Sequence, residues 1–298
     1  MRKIVPSSEI FPSVLGIPKT AFDKLLPKFS QELRKAERCK YFPEIKRLRE
    51  VGGGRKGTLQ TDAEKLFFIL LYYKVYPTFR FAEFIFGFDH TNIIRWKDFL
   101  EEVLNKTLNE ELVLPTRKIK CLKELIEIYP DFKYLIVDAT ERPIRRPANK
   151  DMENLHFSGK KKDHTVKNQL FINPKLKRVV YVSKTCEGKR HDSKLFKEDK
   201  IWTKAPPGTV VLTDGGYPGI GDLSPYIKHA HPFKKEAGKV LTDLQKQANK
   251  ILSSQRVAVE NVFAYMKHFN ILRHDFRNKL AKAQMPFETI ACIYNYTR

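Results

Sequence analysis

Two periods of hydrophobicity divide this chain. Through roughly residues 59–104 apolar side chains recur every three to four positions, as in helices packed on one another; from about 132 the period falls to two, as in strands. The helical stretch carries its own punctuation. Thr61 and Glu64 form a capping box ahead of AEKLFFILLYYKVY. Thr78 is placed to cap FRFAEFIFG, which Gly87 ends. A third helix, roughly 91–104, sets Ile93, Trp96, Leu100 and Val103 on one face, with Asn92, Arg95 and Asp98 elsewhere. Two helices about a tight Gly-containing turn, the second opening with polar residues, suit a helix-turn-helix; a plain three-helix packing module has the same pattern. Residues 1–50 read as short helices broken by Pro12, Pro18, Pro27 and Pro43. VGGGRKGTL at 51–59 reads as a joint, since the Gly-Lys-Ser/Thr of a phosphate loop does not follow.

The strand region predicts a mixed five-stranded sheet flanked by helices. KYLIVDAT is the first strand. HTVKNQLFIN and KRVVYVSKTCEG flank Asn173-Pro174-Lys175, a hairpin turn by composition. HDSKLFKED after Gly188 is a short helix for Asp192 to cap. TVVLTDGGY and IKHAHPFKK supply two more strands, and from about 239 the chain is helical, interrupted at Pro286. Strands, a helix, strands and closing helices describe an α/β fold with a covered sheet. The pattern divides into residues 1–58 (helical region and linker), 59–128 (helix-turn-helix domain) and 129–298 (sheet domain).

Charge narrows the function. The chain has 298 residues and 42% hydrophobic content, ordinary for a globular protein, yet Lys+Arg 56 against Asp+Glu 34 leaves +22. Basic residues spread along a folding chain point to a polyanionic partner, and a nucleic acid fits better than a membrane because no lipid-binding helix is evident. The longest apolar run, LFFILLYY, is too short to span a bilayer. The N-terminus lacks a signal-peptide stretch, and Cys39, Cys121, Cys186 and Cys292 form no metal-binding or disulfide spacing, so the expectation is a soluble, cytoplasmic, nucleoid-associated protein.

Three acids sit where acids are costly: Asp138 and Asp214 at the ends of apolar strands, and Glu260 within QRVAVENVF on a helix apolar on most sides. If they converge, the anionic pocket suits divalent metal. Two Mg²⁺ ions, for which Mn²⁺ can substitute, need few hard-oxygen ligands and can clamp the attacking and leaving oxygens of a phosphodiester. The alternative is that Asp138 ends a strand, Asp214 starts a turn, and Glu260 makes an internal salt bridge with Arg256 or Lys267. After Asp138 comes a basic cluster, Arg142, Arg145, Arg146, Lys160, Lys161, Lys162, His164 and Lys167, suited to gripping a DNA backbone. His191 stands beside Asp192 as a possible neighbour of the metals.

The GGGRKG joint, VDATERPIRRP, FSGKKKDHTVKNQ, GKRHDSKLF, LTDGGYPG and RVAVENVFAYMKHFNILR occur in an order and spacing that resemble insertion-sequence transposases of the DDE superfamily endonuclease type, bacterial relatives of the Harbinger transposases. The resemblance implies a ribonuclease-H-like catalytic fold with Asp138, Asp214 and Glu260 as its acids. It implies cut-and-paste transposition: cleavage at terminal inverted repeats, then attack of the freed 3′-hydroxyl on target DNA, by a dimer or larger assembly. Asp138 would bridge both ions, Asp214 and Glu260 would each complete one, and Arg256 and Lys267 would hold DNA or orient Glu260. Asn92 and Arg95 would read the repeats. Of the wider pattern Tyr-x2-Arg-x3-Glu-x6-Lys, Arg256, Glu260 and Lys267 are present and Ser253 replaces the tyrosine; Asp163 stands where the family favours a basic residue. The rival functions are a transposase-derived DNA-binding regulator without catalysis and another ribonuclease-H-like nuclease.

Overall fold

The computed structural model describes residues 8–41, 57–111, 134–200, 203, 207–235 and 240–298. The chain divides into two compact units. One comprises Met1–Leu112, His268–Ile271 and Met285–Thr297; the other comprises Val113–Lys267, Leu272–Gln284 and Arg298. Most of the glycine joint, Pro43, Cys121 and the boundary expected at 128 lie outside the described residues.

The first unit is helical: α1 (Phe11–Leu15), α2 (Lys19–Tyr41), α3 (Asp62–Val75), α4 (Phe79–Phe86) and α5 (His90–Glu111), joined near the chain's end by α10 (Gln284–Tyr296). Pro12 starts a helix rather than breaking one, because it occupies the first turn of α1, where its missing N–H has no partner to lose. Pro27 does not break α2 either. An interior proline costs about 3 kcal/mol, but Phe22, Leu25, Phe29 and Leu33 keep one face of this helix buried throughout. The expected caps are present. Thr61 Oγ1 accepts the Glu64 amide at 3.1 Å while the Glu64 carboxylate accepts the Thr61 amide at 2.9 Å. Thr78 Oγ1 accepts the Phe81 amide at 3.1 Å, and Gly87, at φ 69°, closes α4 in the left-handed region. The third helix runs on past 104 because Thr107 and Leu108 continue its buried stripe.

The second unit holds β1 (Tyr134–Pro143), α6 (Lys150–His156), β2 (Phe157–Ser158), β3 (Asp163–Asn173), β4 (Arg178–Val182), β5 (Cys186–Glu187), α7 (Asp192–Asp199), β6 (Thr209–Leu212), β7 (Ile227–Ala230), α8 (Asp243–Lys267) and the second half of α9 (Asn270–Arg273). The five expected strands form one mixed sheet, to which β2 and β5 add two-residue strands. The order is β2-β3-β1-β6-β7, and β4 and β5 also pair with β3. Strands β1, β3 and β4 run antiparallel, whereas β1, β6 and β7 run parallel. This arrangement is compatible with a ribonuclease-H-like fold. Leu135, Val137, Phe171, Val180, Val211 and Ile227 build a core with Phe196 of α7 and Tyr217. Helix α8 packs on β1 and β3, burying Val259, Val262, Phe263 and Met266.

Two local expectations are corrected. The C-terminal helical stretch breaks at 274–283, not at Pro286, which sits in the first turn of α10, where proline is tolerated. Asp192 does not cap α7: His191 occupies the N-cap with no side-chain cap bond, and Asp192 is the first helical residue, its carboxylate drawn to Lys167 instead. Among the described residues no helix is long and apolar enough to cross a membrane.

Candidate active site

Strand pairing sets the first two acids level. Ile136 of β1 lies opposite Leu212 of β6 in a parallel ladder. Asp138 and Asp214 each follow two residues later, so they lie level just beyond the last parallel pair; β1 does not end at Asp138 as expected but runs on to Pro143, because its pairing with β3 continues past the acid. Burial pushes the Asp138 carboxyl up to about 6, and the charge of Asp214 adds to the shift; the Ala139 amide, which donates to Asp138 Oδ1 at 2.8 Å, and Arg256 oppose it. Asp214 Oδ1 accepts the Gly216 amide at 2.8 Å, a turn that aims the carboxylate back over its own backbone. The two glycines leave the approach to Asp214 open. A β-carbon at Gly216 would lie 3.0 Å from Asp214 Oδ1, and one at Gly215 would lie 2.6 Å from Lys234 Cε.

Cations ring these acids. Arg256 Nη2 lies 3.8 Å from Asp138 Oδ2. Lys267 has its pKa lowered by burial and by Lys161, against the pull of Asp138 and Glu141, which places it electrostatically within the same group. Lys167 Nζ donates to the Arg190 carbonyl at 2.7 Å and to Asp192 Oδ1 at 2.8 Å, and stands 3.8 Å from Glu141.

Glu260 departs from expectation. It is exposed, as is Val257 beside it, so the apolar surround read from the sequence does not exist. Among the described residues the trio is not a set whose ligand atoms all lie within 4.8 Å; Glu83, Asp89 and His90, where α4 turns into α5, form such a set. Those acids already serve the turn: Glu83 pairs with Arg80 at 3.0 Å, and Asp89 accepts the Thr91 amide at 2.8 Å.

The basic cluster separates into two kinds of residue. Arg142, expected to grip DNA, is 2% exposed. Its guanidinium donates to the Ala283 carbonyl at 3.1 Å and to Asn168 Oδ1 at 2.6 Å, and burial lowers its pKa to about 9. It braces the sheet and does not reach solvent. Lys167 is likewise buried and belongs to the acidic centre. Arg145, Arg146, Lys160, Lys161 and Lys162 are exposed, the lysines on the turn between β2 and β3, while Arg146 pairs with Glu153 at 2.8 Å. His164 is half-buried against the Phe157 ring. His191, Asn92 and Arg95 are exposed.

The sequence reading passed over Asp192, Glu141 and Lys167 as a group. A signal existed: Glu141 and Lys167 are charged residues inside apolar strands, and they face one another in the β1–β3 register.

The model of the DDE superfamily endonuclease family matches residues 137–295, from the strand that bears Asp138 to the last helix. The chain belongs to the DDE superfamily of endonucleases. It is 30% identical over 243 residues, 82% of its length and 83% of the relative's, to a protein of Microchaete diplosiphon named as a transposase for insertion sequence element IS702. A protein of Streptomyces albus G named as a transposase for insertion sequence element IS112 is 33% identical over 141 residues, 47% of this chain and 49% of the relative. No solved structure matches. The family implies a divalent metal, and the residues fit one: Asp138 and Asp214 offer hard oxygen donors from adjacent strands, and Asp138 is a carboxylate whose charge burial disfavours until a cation compensates it.

Proposed function

We propose that this protein is a DNA transposase that cleaves the ends of an insertion sequence and joins the freed 3′-hydroxyl to target DNA. The observation that carries the reading is the level placement of Asp138 and Asp214 just beyond the last pair of the parallel β1–β6 ladder, inside the region matched by the endonuclease family. Asp138 and Asp214 would hold the divalent ions, for which Mg²⁺ is the natural choice. When bound, such ions polarise phosphate oxygens and activate water at neutral pH. Glu260 lies one helical turn beyond Arg256 and two turns before Lys267, so it shares the stripe of α8 whose other members bear on Asp138. That placement supports Glu260 as the third acid once DNA and metal draw the stripe inward.

Other residues position the substrate. Arg256 and Lys267 would hold phosphate beside the acids, and the exposed Arg145, Arg146 and Lys160–Lys162 would follow the backbone without reading sequence. His164 and His191 stand near that path. Helices α4 and α5 would act as a helix-turn-helix, with Asn92 and Arg95 in the exposed first turns of α5 reading the terminal repeats. In this division residues 59–128 recognise ends and 129–298, a ribonuclease-H-like domain, carry the chemistry, with 1–58 preceding them. Pairing two ends calls for a dimer or larger assembly, acting in the bacterial cytoplasm.

The test is to incubate the protein with Mg²⁺ and duplexes ending in the element's own termini, then map the breaks. Nicks at the element boundary that vanish with EDTA, and 3′ ends that join to new DNA, support transposition. Breaks whose 3′ ends never join would indicate a simple nuclease. Retention of end DNA with no metal-dependent cleavage would establish the rival, a DNA-binding regulator that no longer cuts.

A further inference from the structure

Asp192 opens α7 and divides its carboxylate between two tasks. Its Oδ1 accepts Lys167 Nζ at 2.8 Å. Its Oδ2 faces Gly216, 3.7 Å from where a β-carbon would stand, on the same glycine that brings Asp214 Oδ1 within 3.0 Å of that point. No side chain intervenes, since the residue between the two carboxylates is glycine. Asp192 is also felt at Asp138, where its charge adds to those that resist ionisation, and all three aspartates bear on the buried hydroxyl of Tyr217. The group is held from below. Gln169, fully buried, donates to Tyr217 Oη at 2.8 Å and reaches the Asp192 carbonyl at 3.4 Å. Lys167 is itself fixed by the Arg190 carbonyl.

An acid in the first turn of a helix ordinarily accepts that helix's own amides. Asp192 instead accepts from a buried lysine on a strand, which leaves its Oδ2 beside Gly216. With Glu260 exposed, Asp214 and Asp192 are the acids whose charges bear on Asp138, although the ligand atoms of these three do not all lie within 4.8 Å of one another.

We propose that Asp192 is a further carboxylate of the divalent-cation centre formed by Asp138 and Asp214, and that Lys167 is the fixed counter-charge that competes with the metal for it. This inference rests on the metal centre described under Proposed function. A hard divalent ion takes six or more oxygens, so a third protein carboxylate adds affinity without displacing every water.

The test is Mn²⁺ binding to the full chain without DNA, read from the electron paramagnetic resonance signal of free Mn²⁺, in the wild type, Asp138→Asn and Asp192→Asn. The proposal expects Asp192→Asn to weaken binding by about tenfold or more, the scale on which partners of a metal site act, with the circular dichroism spectrum unchanged. Wild-type binding in Asp192→Asn, alongside loss in Asp138→Asn, overturns the role of Asp192 and leaves the centre standing. Undiminished binding in Asp138→Asn overturns the centre and this proposal with it. If Asp192→Asn does not fold, Lys167→Gln decides. Removing the competing ammonium should tighten Mn²⁺ binding severalfold, an effect opposite to that of structural damage; equal or weaker binding overturns the proposal.

Discussion

Each unit of this protein buries a lysine against an acid, and the two pairs end differently. In the helical unit Lys97 and Glu101 lie 2.7 Å apart with side chains 1% and 3% exposed, and Glu101 also accepts the Tyr73 hydroxyl at 2.8 Å. Burial and the Glu101 charge raise the Tyr73 pKa well above its usual value, so the phenol stays a donor. That pair is sealed and its acid is engaged on both sides. In the sheet unit Lys167 meets Asp192 at 2.8 Å, but Asp192 is 24% exposed and its second oxygen lies beside Gly216, on the turn that follows Asp214. A buried pair with every group satisfied is architecture. A buried pair with an open oxygen beside other carboxylates is equipped for chemistry.

The comparison can be broken most sharply in the sheet unit. Asp138→Ala, Asp214→Ala and Glu260→Ala should each abolish metal-dependent strand cleavage while a gel-shift assay still shows end DNA retained; cleavage persisting in all three would sink the catalytic assignment. In the helical unit Lys97→Met strands the Glu101 charge and should cost about 3–5 kcal/mol of stability in a urea titration. The double change Lys97→Met with Glu101→Leu should recover much of that loss, and no recovery would mean the pair does more than neutralise itself.

The next effect is smaller and depends on pH. A carboxyl that holds its proton more tightly when folded contributes stability below its unfolded pKa, and that contribution disappears as pH rises through the folded value. With the Asp138 pKa at about 6, metal-free protein should lose roughly 2 kcal/mol between about pH 4 and pH 7 through this group. Asp138→Asn should remove that slope, which thermal melts across the interval would show; an unchanged slope would place the burial penalty elsewhere. The smallest effect lies at the surface. Neutralising Lys160, Lys161 and Lys162 should weaken DNA binding across sequences and lower the slope of log affinity against log salt by up to about three. An unaltered slope would remove these lysines from the interface.

Much of the local structure was legible. The Thr61–Glu64 box, the Thr78 start and Gly87 stop of α4, and the Asn173 hairpin turn are short-range devices, complete within a few residues. The strands around Asp138 and before Asp214 were legible too as β-branched runs, but not where the first one stops: β1 runs past Asp138 to Pro143 because β3 pairs with it that far. Pro27 misled because a local penalty was outweighed by Phe22, Leu25, Phe29 and Leu33, whose burial is set elsewhere in the unit. Nothing in the periodicity marked the return of α10 to the helical unit, where Thr289 Oγ1 accepts from Asn105 at 2.9 Å.

By itself the sequence determined the family, the strands around Asp138 and before Asp214, the run of elements and most helix ends, since these depend on residue order over short spans. Tertiary structure decided which charges are hidden. Arg142 and Lys160 belong to one basic stretch, yet Arg142 vanishes into the sheet because an acceptor 141 residues away, the Ala283 carbonyl, meets it there. Asp192 met Lys167, and Glu260 stayed in solvent, for the same reason: a side chain's burial and partners come from the distant segments folded over it, and periodicity gives its face but not what covers that face.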